Sequence, residues 1–434
     1  MPVTTHRLTN GLTVAVAERR ELLIVQLEIV IAAGAELDTP AHAGRTSMTA
    51  EMLDEGTQLR SALQIAEEID YLGADLSVQP GWDAITISLH VMSERLDAAL
   101  DVMTDVLLNA AFPDSEFERK RQERLSALLH DRDEPHLLAG KAMAAGVFGG
   151  EHPYGAPIDG TRTSIAGLSR AEVQSRYRTH VHAGNAFVVV VGDVDTTAVV
   201  ATLEARLASW HSQPAAHSAT AKALPALSTR VLLVDKPGAA QAELRVGHAA
   251  PDRTTSDYFA LNILNTILGG AFTSRLNMIL REQMGVTYGA RSRFRLRRTG
   301  GIFSAGAAVA TEAVARSAQV IIEEMTRLRD EPVSTDELTR AQSYVALGLP
   351  RHFETNDGIA AHLREQILYG LPMDYWERYV DNIFAVTAEN IASAAARHLQ
   401  PESCVVAVVA DGKHVQRALE KTRLGDVIVT DMPI

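Results

Sequence analysis

The apolar and polar positions of this chain fall into short, punctuated segments. Residues 5–8 and 12–17 alternate around Asn10-Gly11, a dipeptide that favours a tight turn, so the chain is expected to open with a β-hairpin. Residues 23–33 predict a second strand, closed by Gly34. Residues 44–57 predict a helix ended by Gly56, and residues 61–72 another with Ser61 as its cap. Strands are expected at 73–79 and 84–92, then helices at 93–109, 115–132 and 135–148. His152-Pro153-Tyr154-Gly155 reads as a turn-rich loop. Ser169 and Glu172 form a capping-box pattern before a helix over 169–179. Residues 185–191 read as a buried strand and 196–210 as a helix.

The second half repeats the first. Residues 185–193, an apolar run ending in Gly192-Asp193, recur as 403–411, ending in Ala410-Asp411. Pro113, Ser115, Glu118 and Arg121 recur as Pro332, Ser334, Glu337 and Arg340. Leu72-Gly73-Ala74 corresponds to Tyr288-Gly289-Ala290, each leading into a strand. Three registers agree at an offset of roughly 218 residues, far longer than a solenoid period, so a domain has been duplicated. The fold class expected is α+β: two homologous domains, each a mostly antiparallel sheet covered by helices. Periodicity fades over 212–228, where Ala, Pro and Ser gather. The expected division is therefore a domain over 1–211, a linker over 212–228 and a domain over 229–434.

Composition narrows the function classes. With 46% hydrophobic and 22% charged residues the chain reads as soluble and globular. A formal net charge of −13 argues against a nucleic-acid surface. The single cysteine, Cys404, excludes an intrachain disulfide and lies in an apolar run. The longest apolar runs, near Val188 and Val405, are far too short to span a bilayer, so no membrane role is expected. The first residues show no charged-then-apolar leader, which points to the cytoplasm. A periplasmic chain already stripped of its signal peptide would read the same way.

The chemistry centres on residues 44–57. Ser47 and Glu51, four apart, share one helix face. In the inverted zinc motif, His-x-x-Glu-His, that face carries two metal-binding histidines, and the glutamate before the second is the general base. Here Ser47 and Glu51 stand at the histidine positions and Ala50 at the base position. Two other histidine groups are weaker candidates. His130 and His136 flank a polar helix end, and His180 and His182, two apart, do not share a helix face.

This frame resembles the pitrilysin/insulysin/mitochondrial-processing-peptidase family. The resemblance runs through Leu8-Thr9-Asn10-Gly11-Leu12, the 44–57 helix, Phe112-Pro113, His152-Pro153-Tyr154-Gly155 and the stretch from Gly269-Gly270 to Ser274-Arg275-Leu276. It implies a third zinc ligand on a later helix; counting 76 from Glu51 reaches Ala127. All the zinc positions are then degenerate, and this chain is expected to hold no metal or other cofactor.

Members of this family form a clamshell of four related domains, supplied by one long chain or by two chains of which one lacks zinc. The resemblance makes this chain one half of such a clamshell. It also implies roles for Arg281 and Tyr288, seven apart in an Arg-x6-Tyr pattern, as substrate-binding donors, and for Gly269 and Gly270 as a flexible chamber wall. Without the resemblance, Arg281 is a cation at a helix C-terminus, Tyr288 a half-buried strand aromatic, and the glycines a turn between helices. The function implied is a non-catalytic, substrate-binding subunit of a heterodimeric zinc metallopeptidase. Its partners would be a peptide substrate and a homologous subunit carrying His-x-x-Glu-His and the zinc. The same losses fit a second reading, a structural or peptide-binding relative with no peptidase role.

Overall fold

The computed structural model describes residues 3–213 and 228–430. It contains two six-stranded sheets, each with helices packed on it. The first sheet comprises β1 (Thr4–Arg7), β2 (Thr13–Glu18), β3 (Ile24–Ile31), β4 (Asp75–Pro80), β5 (Ile85–Met92) and β6 (Ala186–Gly192), in the order β1-β2-β6-β3-β5-β4. The second comprises β7 (Arg230–Asp235), β8 (Ala242–Ala250), β9 (Arg291–Leu296), β10 (Gly301–Val309), β11 (Val405–Ala410) and β12 (Val427–Thr430), in the order β12-β7-β11-β8-β10-β9. The β2–β6 pair is parallel, as is its counterpart β7–β11; the remaining inner pairs are antiparallel. Five strands of each sheet correspond one to one, which is the duplication read from the sequence. The sixth differs. β1 joins β2 antiparallel through the Asn10-Gly11 turn, whereas β12 joins β7 in parallel from the far end of the chain.

Local signals formed what they encode. Ser61, Ser169 and Ser334 each accept from the backbone three residues on, within complete capping boxes. β6 and β11 are buried almost throughout because both are unbroken apolar runs. The helix begun at Gly44 is shorter than its pattern. It spans Arg45–Glu51 and closes on Met52, and Gly56 instead bends the following loop into an isolated bridge with Ser61 at φ +119°.

The two compact units are not contiguous in sequence. The second includes Leu128–Ala156 and the first includes Arg351–Leu371, so each takes a helix from the opposite half of the chain. A boundary at 211 places neither segment with the sheet it covers, and the expected linker over 212–228 lies almost wholly outside the described residues. The helix Pro135–Phe148 packs on β7, β8 and β11, and a methyl at its Gly146 would sit 2.7 Å from Val405. The helix Asn356–Leu368 packs on β3 and β6, setting Ile359, Ala360 and Leu363 against Phe187, Val189 and Val191. It also meets a buried charge. Glu28, in the middle of β3 and 1% exposed, is paired at 2.7 Å with Arg364. Burial still holds the Glu28 carboxyl above its ordinary range, against the pull of that guanidinium. Among the described residues no helix is long and apolar enough to cross a membrane.

Replacing Arg364 by Met keeps the apolar stem and strands the Glu28 charge. Urea unfolding at pH 7 should show a loss of about 2–4 kcal/mol, less than for a wholly buried pair because Arg364 is partly exposed. A carboxyl whose folded pKa is raised stabilises most below its unfolded pKa and loses that stability as pH rises through the folded value. The variant should therefore recover part of its deficit as pH falls into the carboxylate range. Equal losses at pH 7 and pH 4.5 would show that altered packing at position 364, not the stranded charge, sets the cost.

Candidate functional site

The start of the helix Arg45–Glu51 is fixed by close packing. Gly44 takes φ +88°, and a Cβ there would lie 2.6 Å from Ile165 and 2.9 Å from the Asp159 carbonyl. Asp38 then accepts from the Thr46 backbone N–H at 2.8 Å and from Arg45 Nε at 3.3 Å. Thr46 to Ala50 are all buried. Ser47 and Glu51 project together as their spacing requires, and Ser47 Oγ donates to Glu51 Oε1 at 3.3 Å. Ala50, fully buried, presents only its methyl group.

The third partner is not Ala127. That residue is exposed on the helix Asp114–His130. Arg124, one turn earlier, faces the pair: its Nη2 donates to Ser47 Oγ at 3.1 Å and pairs with the Glu51 carboxylate. Its Nη1 meets Asp159 Oδ1 at 2.8 Å, and its side chain is only 15% exposed. The sequence held a signal for this. The neighbours of Arg124 at three and four residues are Lys120, Arg121, Ala127 and Leu128, so no carboxylate stands at pairing distance along its own helix. Arg119 and Arg121 do find theirs locally, at Glu116 and Glu118. A cation without a local partner is available to a carboxylate from another element.

This donor set does not fit zinc. A guanidinium has five donors and no lone pair to give a metal, and its charge opposes a second cation on the same carboxylate. Ser47 offers a neutral hydroxyl and Ala50 and Ala127 offer nothing, which leaves Glu51 as one carboxylate already paired. Among the described residues no group of three or more His, Cys, Asp or Glu side chains is placed to hold a metal ion. His180 is pushed down to about 4 by burial and by Arg176, Arg45 and His182 around it. His136 is exposed beside Glu134.

The elements around Arg281 lie in the second unit. Thr266–Gly270 and Asn277–Gln283 are π-helical turns flanking a short loop, a feature often found where function has shaped a helix. Gly285, at φ +65°, closes the second on the Arg281 carbonyl. The Arg281 guanidinium lies 4.4 Å from the ring centre of Phe272 and 3.7 Å from Glu282. Tyr288 sits in the loop before β9, not in the strand, and is 93% exposed. No hydrogen bond joins Arg281 to Tyr288 among the described residues. Gly269 is buried, and a methyl there would lie 2.5 Å from the Ser292 backbone nitrogen, so close approach of this helix to β9 requires glycine. Gly270 is exposed beside Asn265. Arg275 forms a two-point pair with Glu337, whose carboxyl it draws down to about 2 with help from Ser334.

If Arg124 neutralises the Ser47–Glu51–Asp159 cluster, Arg124→Ala should lower unfolding stability by about 1–3 kcal/mol, since Glu51 and Asp159 are part-exposed. Glu51→Gln in the same chain should return some of it, because it removes the stranded charge. Strict additivity of the two changes in denaturant titrations would mean that the pair is not coupled.

Comparisons with known proteins agree with this architecture. Residues 13–154 match the family model described as insulinase (peptidase family M16), and residues 167–345 match the model described as the peptidase M16 inactive domain. An uncharacterized zinc protease of Mycobacterium leprae is 25% identical, over 89% of this chain and 87% of its own. Another, of Rickettsia felis, is 26% identical over 79% and 82%. The crystal structure of a peptidase M16 inactive domain from Pseudomonas fluorescens superposes with a TM-score of 0.87 at 25% identity, covering 94% of this chain and 98% of that one. A Helicobacter pylori protease shares the fold at 16% identity, with a TM-score of 0.85 and coverage of 94% and 99%. With two models of one family matching residues 13–154 and 167–345 and the same paired sheets throughout, this chain belongs to the insulinase (M16) peptidase family.

Proposed function

We propose that this chain is the non-catalytic, substrate-binding subunit of a heterodimeric zinc metallopeptidase, completing the active site of a homologous partner that carries His-x-x-Glu-His and the zinc. The observation that carries this reading is Arg124. A guanidinium bonded to Ser47, Glu51 and Asp159 supplies the positive charge that the cluster's carboxylates need, with no coordination site left over. A water with no metal beside it keeps a pKa near ~15.7, so this cluster generates no hydroxide at neutral pH. Relatives named zinc proteases support a peptide-hydrolysis setting for this chain, and the Arg124 cluster supports the binding rather than the catalytic part.

Arg281 and Tyr288 support that part. Arg281 is held over Phe272, which restrains its stem and leaves N–H donors for a ligand, and Tyr288 presents its hydroxyl to solvent. A guanidinium and a phenol both donate to a peptide carbonyl or to the oxyanion that develops on it. In this reading the substrate is a peptide held against these donors, and the chemistry belongs to the partner.

Purified alone, the chain should carry substoichiometric zinc and should not cleave unstructured peptides. Mixed with a His-x-x-Glu-His homologue encoded beside it, it should assemble and raise peptide hydrolysis. In that mixture Arg281→Ala and Tyr288→Phe should each lower kcat, by up to about 10²-fold, with assembly intact. Arg281→Lys should rescue little, because it keeps charge but loses the planar fork. Chelator-sensitive cleavage by the chain alone would defeat the subunit reading, and wild-type kinetics in both variants would remove the donor roles.

A further inference from the structure

A cavity of about 310 Å³ opens among the helices of the second unit. Thr266–Gly270 and Asn277–Gln283 give one wall, the helix Val314–Asp330 a second and the helix Thr335–Gly348 a third. Ile267, Ala271, Met278, Ile279 and Ala341 supply its apolar lining, and the exposed side chains of Arg340 and Tyr344 stand at its mouth. Small-molecule sites run from roughly 300 to 1,000 Å³, so this one suits a single small ligand.

The charges on its walls are incompletely matched. Arg275 donates from Nε and Nη2 to the two oxygens of Glu337, at 2.7 and 3.1 Å. Its Nη1 is buried and has no hydrogen-bond partner among the described residues. Arg340, three residues on from Glu337 along its helix, makes no ion pair or hydrogen bond among the described residues. This side of the cavity therefore sets two guanidiniums against one carboxylate. The balance on Val314–Asp330 is the reverse. Glu324 is 4% exposed, and its Oε1 accepts from Arg327 Nη1 at 2.7 Å. Arg327 is half-exposed and also meets Glu331 at 3.6 Å, so one guanidinium serves two carboxylates. Glu324 Oε2 is buried with no partner among the described residues. A buried oxygen or N–H without a partner has given up its hydration, and a ligand group that bonds to it relieves that cost.

We propose that this cavity binds a free apolar α-amino acid as its zwitterion. The carboxylate accepts from Arg275 and Arg340, the ammonium donates to Glu324, and the side chain packs against Ile267, Met278 and Ile279. A zwitterion answers both walls. A simple anion leaves Glu324 Oε2 unpaired, and a simple amine leaves Arg275 Nη1 unpaired. The apolar lining favours an aliphatic side chain over a charged one. The inference goes beyond the subunit reading and needs neither a partner nor zinc.

Isothermal titration calorimetry of the full chain alone tests it, with L-leucine as the probe. L-Leucine should bind with a Kd below about 1 mM, a modest affinity in keeping with so few atoms. 4-Methylpentanoate lacks the ammonium and 3-methylbutylamine lacks the carboxylate; each should bind at least about tenfold more weakly. Glu324→Gln should weaken L-leucine about tenfold, so that it binds no better than 4-methylpentanoate does. Arg340→Gln should weaken L-leucine by about three- to tenfold, the smaller loss expected of an exposed guanidinium. Circular dichroism checks that both variants fold. No saturable binding of L-leucine at the stated limit, equal binding of L-leucine and either analogue, or wild-type affinity in either folded variant overturns the proposal. Equal binding of trileucine also overturns it, by making the cavity a peptide site. Should Glu324→Gln unfold, the analogue series and the exposed Arg340→Gln still decide.

Discussion

The structure depends on a requirement of its two central strands. β6 and β11 are unbroken apolar runs, buried along nearly their whole length, and such strands are stable only when both faces of the sheet are covered. Each sheet meets part of that requirement with a helix from the opposite half of the chain, Asn356–Leu368 for the first and Pro135–Phe148 for the second. Burying a side chain such as Ile359 or Leu363 is worth about 1.5–3 kcal/mol, so the contacts with Phe187, Val189 and Val191 are a substantial part of that unit's stability. The Glu28–Arg364 pair adds orientation more than energy. Desolvation of Glu28 offsets much of the attraction, but a helix docked in another rotation would leave that carboxylate unanswered.

The same economy of charge shapes the Ser47–Glu51–Asp159 cluster. Glu51 and Asp159 both reach one guanidinium, and without it two neighbouring carboxylates would repel. A guanidinium on the neighbouring helix relieves this without a free ion, using planar donors that reach Ser47, Glu51 and Asp159 together. Gly44, at φ +88°, lets the start of this helix approach Asp159 and Ile165 closely, and the cluster beside it is held by ion pairs.

In the second unit, glycine and arginine are used differently. Gly269 is needed for packing, since a methyl there would strike the backbone of β9. That close approach fixes Ser292 and Phe294 inward, and so it aims Arg291, Arg293 and Arg295 outward together. Among the side chains left uncommitted, Tyr288 and these three arginines lie just before and along one edge strand.

By itself the sequence determined the duplication, the α+β class, the capped helices and the pairing of Ser47 with Glu51, because each rests on local periodicity or on spacing within one element. Cap geometry and helix-face geometry reach only three or four residues, and the sequence states them directly. Tertiary structure decided the rest. Which sheet a helix covers depends on long-range complementarity, so a division at residue 211 misses the exchange of 135–148 and 356–368. Counting residues between helices likewise reached Ala127, an exposed methyl, whereas the side chain that bonds to Ser47 and Glu51 is Arg124, one turn earlier on the same helix. The length of the intervening loops sets that register, and only the folded chain fixes where it ends.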